Sequence, residues 1–212
     1  MDITDNLLFC ALAAFFTFAF LLSLRSLFKV IPSLADCAAR WKGNLELEDS
    51  LQLSNSRNLV TIVLYVPLCM VAYSHNLYHP DYFDSLSPTF SLLACIGTGL
   101  GYLLLRSFLN WQLEMGAYHT KAFIAANRSF NNLVIILFFI IFTAGGLLRA
   151  FGAGEEASER VLLYIAAFVY FLHIVRRGQI FASACYPFTT FLYLCGLELL
   201  PTAALVLSAQ LL

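Results

Sequence analysis

The chain has 212 residues, 60% of them hydrophobic and 15% aromatic, with a mean hydropathy of +0.79. Only 12% are charged, about half the share of a soluble domain, and the net charge of -1 supplies no basic field for nucleic acid. These values exclude a soluble enzyme, a disordered chain, a disulfide-stapled secreted domain and a nucleic-acid binder. They predict an all-α polytopic membrane protein, a single domain of six transmembrane helices.

In chain order the predicted spans are about 7–24, 59–78, 88–105, 131–150, 160–176 and 186–211. Each is near the length that crosses hydrocarbon, and none alternates with period 2, which excludes a barrel. Lipid satisfies no backbone group, so the spans must be helices. The first is preceded by Asp2 and Asp5 and followed by Arg25 and Lys29, the pattern of an anchor and not of a cleaved signal. The connections 31–58 and 110–130 mix Trp41, Leu45, Trp111, Met115, Tyr118 and Phe123 with charges, which suits short interfacial helices; a polar loop suits 44–57 equally. His79-Pro80-Asp81 and Gly152-Ala153-Gly154 mark turns.

Ten of the twelve Lys and Arg residues fall in the connections after spans 1, 3 and 5. The other side has Arg149 and Arg160 beside Asp81, Asp84, Glu155, Glu156 and Glu159. The positive-inside rule therefore predicts cytoplasmic basic connections and two periplasmic termini. Three spans followed by three invite an inverted repeat, yet Pro67 in span 2 has no counterpart in span 5.

Glu198 is the leading candidate. It lies about 18 Å into span 6 by helix rise, and an acid at such depth marks a functional site by default. Counted from the cytoplasmic edges, its depth-matched polar neighbours are Thr143, Tyr164 and Tyr73, with Arg149 further out; His173 falls about 13 Å short. Without a cation at its depth, Glu198 is expected to be a protonated, neutral hydrogen-bond donor. Pro201 cannot donate to the Leu197 carbonyl, so a kink is expected there, as at Pro67, and the freed carbonyl needs a partner. Arg25, Arg106, Arg149, Arg160, Arg176 and Arg177 end spans and are expected to snorkel to phosphates. Gly97 and Gly101 form G-x-x-x-G, a helix-packing face.

No catalytic group, cofactor or metal is assigned. The six cysteines form no C-x-x-C pair and read as packing residues. His75, His79 and His119 lie at edges or in connections, which disfavours a membrane haem. Glu155-Glu156-Ala157-Ser158-Glu159-Arg160 resembles the first motif of CAAX-type intramembrane proteases, but that family's F-x-x-x-H and H-x-x-x-N elements are missing.

The stretch Tyr193-Leu194-Cys195-Gly196-Leu197-Glu198-Leu199-Leu200-Pro201 resembles the last-helix signature of a Bacteroidota family of multi-pass membrane proteins, catalogued as a domain of unknown function. The resemblance covers about one tenth of the chain. It implies the cytoplasmic (inner) membrane of a Gram-negative cell and no reaction. Three classes fit the sequence. The first is a non-catalytic component that assembles with other membrane proteins or with itself in the bilayer. The second is a small proton-linked carrier centred on Glu198, and the third an intramembrane lipid-acting enzyme.

Overall fold

A computed structural model describes residues 7–114, 121–184 and 186–211. Asp2, Asp5, Met115, Tyr118, His119 and Cys185 lie outside the described residues. The elements are α1 (Leu7–Ala39), α2 (Trp41–Asp49), α3 (Leu51–Ser74), a 3₁₀ turn (Asp81–Ser85), α4 (Pro88–Glu114), α5 (Lys121–Ala150), α6 (Glu155–Ala182), α7 (Pro187–Leu194), a π-helical turn (Cys195–Leu199) and α8 (Leu200–Leu211). Six helical segments are long and apolar enough to cross a membrane, the sixth being the α7–π–α8 rod. The chain is an α-helical multi-pass membrane protein.

Predicted spans 1, 3 and 4 match their helices at the acidic end and stop short at the basic end; span 2 overruns Ser74, span 5 starts five residues after Glu155, and span 6 agrees at both ends. Helix α1 runs to Ala39, α4 to Glu114 and α6 to Ala182. Hydropathy reports where lipid contact stops; a helix continues wherever its polar residues find protein partners. Helix α1 even passes through Pro32, although a proline removes one backbone donor. Beyond it Leu34 and Cys37 are buried, so packing sustains the helix. Within 31–58 the expected interfacial helix is α2, and no polar loop intervenes before α3. Within 110–130 there is no separate interfacial helix among the described residues; α4 and α5 extend into the segment.

Helix α3 packs against α1, α4 and α5, and α5 packs against α6. Leu27, Val30 and Leu34 of α1 meet Val60 and Leu64 of α3 and Ile135 of α5. Phe123, Ala126, Ile180, Phe181 and Leu197 join α5 and α6 to the π-turn. Burial is concentrated towards the basic end. No residue of α1 before Ser23 is buried, and an apolar crevice of about 420 Å³ separates its Phe9, Phe16 and Phe20 from Pro67 of α3 and Phe138 of α5.

The basic end is closed by α2. Gly43 lies against the α1 backbone, where a Cβ would come within 2.7 Å of the Asp36 carbonyl. Glu48 pairs with the buried Arg57 and with Arg128 at 2.8 Å. Asn58 Oδ1 accepts from Asn131 Nδ2 at 2.8 Å, and Asn44 Oδ1 accepts from Asn132 Nδ2 at 2.8 Å. These bonds tie α2, α3 and α5 together. At the acidic end Gly152 takes φ +70 in the expected turn between α5 and α6.

Candidate functional site

Glu198 sits on the π-turn. Pro201 explains why the helix widens there. An α-helix would require the residue 201 amide for the Leu197 carbonyl, and proline has none. The Leu200 amide instead bonds the Cys195 carbonyl, one residue further back than in an α-helix. Such π-turns recur at functional sites. The displaced carbonyls find other donors: Arg106 Nη1 approaches Leu197 O at 3.4 Å, and the Tyr170 hydroxyl donates to Glu198 O at 3.1 Å. Tyr170 Oη also lies 2.6 Å from the Thr202 hydroxyl.

The Glu198 side chain is fully buried and held between two arginines. Arg106 Nη1 of α4 lies 2.7 Å from Oε1, and Arg177 Nη1 of α6 contacts the same oxygen. His173 Nε2, one helical turn before Arg177, is 3.5 Å away. Arg177 is 0% exposed and Arg106 3%. The Arg106 guanidinium also lies 4.0 Å from the Phe130 ring centroid, and that of Arg177 5.4 Å from the Phe181 centroid, favourable settings for a desolvated cation. The cluster thus joins α4, α6 and the last rod. With all three groups ionised, the two guanidiniums exceed the one carboxylate by one positive charge.

The charges are close, but their hydrogen bonds are incomplete. Arg106 Nη2, all three Arg177 nitrogens, His173 Nε2 and both Glu198 carboxylate oxygens have no aligned hydrogen-bond partner among the described residues. The contacts to Oε1 are therefore ion pairs by distance, without the alignment that adds strength.

This arrangement corrects the expected surroundings of Glu198. Two cations reach it, so the expected isolation of Glu198 fails. Arg106 and Arg177 turn inward instead of snorkelling. The error lay in the origin of the depth count, which took Arg176 as the edge. Helix α6 continues to Ala182, and α7 begins at Pro187. His173 lies nine residues before Ala182, about 14 Å, and Glu198 eleven after Pro187, about 17 Å; they are nearly level.

The expected partners lie elsewhere. Thr143 is exposed and bonds its own helix at Phe139 O, 2.7 Å away. Tyr164 is 76% exposed. Tyr73 donates to Pro88 O at 3.2 Å, and Arg149 Nη2 to Ser74 O at 3.3 Å, both at the acidic end. Gly97 and Gly101 face open space, with nothing within 4 Å of an added Cβ. They pack against no other helix among the described residues. The close approach is made by Gly99, where a Cβ would come 2.7 Å from Cys69 Sγ and the Tyr65 hydroxyl donates to the carbonyl at 2.6 Å.

Two cavities adjoin the cluster. One, about 520 Å³, is an apolar groove between α5 and α6 that runs from Tyr164 to His173 and Arg176. The other, about 330 Å³, opens between α4 and α5 beside Arg106. Among the described residues no group of three or more His, Cys, Asp or Glu side chains could hold a metal ion. No family model matches the chain, and no curated protein or solved structure shows significant similarity to it.

Proposed function

We propose that the protein is a non-catalytic component of a membrane assembly. Its buried ion pairs hold its own helices together, and its apolar outer faces meet other membrane proteins. The observation that carries this reading is the outer half of α1. This is the most hydrophobic span and the least buried one, at 6% of its apolar window. Phe15 and Phe18 are each 63% exposed, and the crevice behind Phe16 leaves the helix loosely seated. The open Gly97–Gly101 face of α4 offers a second close-packing surface. The distribution of Lys and Arg supports a chain with both termini periplasmic, and the last-helix signature supports a bacterial inner-membrane protein of the Bacteroidota family that it resembles. A photo-crosslinking residue at Phe15 or Phe18 tests the reading in cells. Adducts with a defined membrane protein or a second copy are expected; adducts with lipid alone would contradict it.

A second reading, a proton-linked carrier centred on Glu198, draws on one observation. His173 lies between the Glu198 carboxylate and the 520 Å³ groove, a place from which an imidazole can pass a proton. It requires pH-driven uptake into proteoliposomes that His173→Gln abolishes while the fold persists.

A further inference from the structure

The cavity between α4 and α5 has the composition of an anion site. Arg106, Ser107, Asn110 and Trp111 line it from α4, and Asn127 and Arg128 from α5. Arg106 divides its guanidinium. Nη1 is spent on Glu198, whereas Nη2 is buried with no aligned hydrogen-bond partner among the described residues. Asn110, 8% exposed, is likewise left with its Oδ1 unpaired; turning the amide would present its NH₂ group to the same space. Two buried hydrogen-bonding groups with no aligned partner among the described residues, on one wall of a cavity, point to a ligand that supplies them.

Charge points the same way. With their charges on, Arg106 and Arg177 exceed the buried Glu198 by one positive charge, and a buried surplus cation is costly unless an anion compensates it. Arg128, about half exposed, adds a cation at the mouth of the cavity. The volume, about 330 Å³, is at the low end of the usual 300–1,000 Å³ for small-molecule sites. It suits a phosphate with a small substituent and not a large organic ligand. Trp111, half exposed at the rim, stands where tryptophans meet lipid headgroups.

We propose that this cavity binds a phosphate group, held by Arg106 and Arg128 with the amides of Asn110 and Asn127. The phosphate comes either from an anionic lipid headgroup of the adjacent leaflet or from a free phosphate compound. The site is independent of whether the protein works in an assembly.

Trp111 is the natural probe, since the chain has two tryptophans and Trp41→Phe leaves it alone. Emission of this variant is followed in neutral-detergent micelles titrated with inorganic phosphate, at constant ionic strength against chloride. It is then compared in nanodiscs of phosphatidylcholine with and without phosphatidic acid. Ser107→Asp and Asn127→Asp place a carboxylate in the cavity at positions outside the ion pairs, and circular dichroism checks their fold. A saturable response to phosphate, weakened about tenfold or more by either variant, establishes a free phosphate ligand. A response confined to phosphatidic acid and lost in the variants establishes the lipid headgroup. No response to either, or an equal response in folded variants, overturns the proposal.

Discussion

At Gly43 the α1 backbone leaves no room for a side chain, and at Gly97 nothing stands in the way. A Cβ on Gly43 would meet backbone atoms of Asp36 and Cys37 at 2.7–2.9 Å, and backbone cannot yield as a side-chain tip can. Gly43→Ala should therefore destabilise the protein by about 1–3 kcal/mol, read from unfolding in detergent. Gly97→Ala should leave the isolated protein as stable or better, because alanine is the stronger helix former by about 1 kcal/mol. If Gly97 faces a partner helix, the same substitution by Leu would break the complex and spare the monomer. The G-x-x-x-G spacing was legible in the sequence, but a spacing gives no direction. The glycine that admits a neighbour is Gly99, on the opposite side of the helix, and only the placement of Cys69 and Tyr65 reveals it.

Helix α1 behaves as two elements joined end to end. Its inner half inserts Leu27, Val30 and Leu34 between α3 and α5; its outer half has no buried residue up to Leu22. Leu27→Ala should lower stability by about 2–5 kcal/mol through the cavity it leaves. Phe15→Ala, at a 63% exposed position, should change monomer stability by less than about 0.5 kcal/mol. Equal losses would mean that the outer half is seated after all. The six apolar segments were readable because hydrocarbon enforces their length and their helicity. The extensions past Leu24, Leu105 and Arg176 were not, because polar helix turns are stabilised there by partners that a local pattern cannot name. Glu48 of α2, for example, pairs with Arg57 of α3 and Arg128 of α5. Glu198 stood out because an acid and a proline within one apolar helix are rare. Its arginines did not, because an Arg at the edge of an apolar run looks the same whether it turns to headgroups or inward. The available clue was periodicity: Tyr170, His173 and Arg177 share one face of α6, as Tyr102, Arg106 and Asn110 share one face of α4.

In the whole molecule the charges sort by end and by depth. Arg106, Arg177 and Glu198 bind three spans inside, and the acidic groups Asp81, Asp84, Glu155 and Glu156 stay at the opposite end. With the basic end cytoplasmic, membrane-impermeant thiol reagents applied to sealed cells should label single cysteines at Asp81 and Glu155. They should not label cysteines at Lys42 or Lys121; the reverse pattern would invert the topology. The deciding measurement concerns the buried acid. Glu198→Leu strands two buried guanidiniums, and unfolding in detergent should show a loss of about 3–5 kcal/mol. Glu198→Gln should also destabilise, since it keeps the volume and removes the countercharge. Replacing the whole cluster at once, with Arg106→Met, Arg177→Met and Glu198→Leu together, should restore most of the stability, because no unpaired charge is left inside. Unchanged stability in Glu198→Leu would contradict an ion-paired core joining α4, α6 and the last rod.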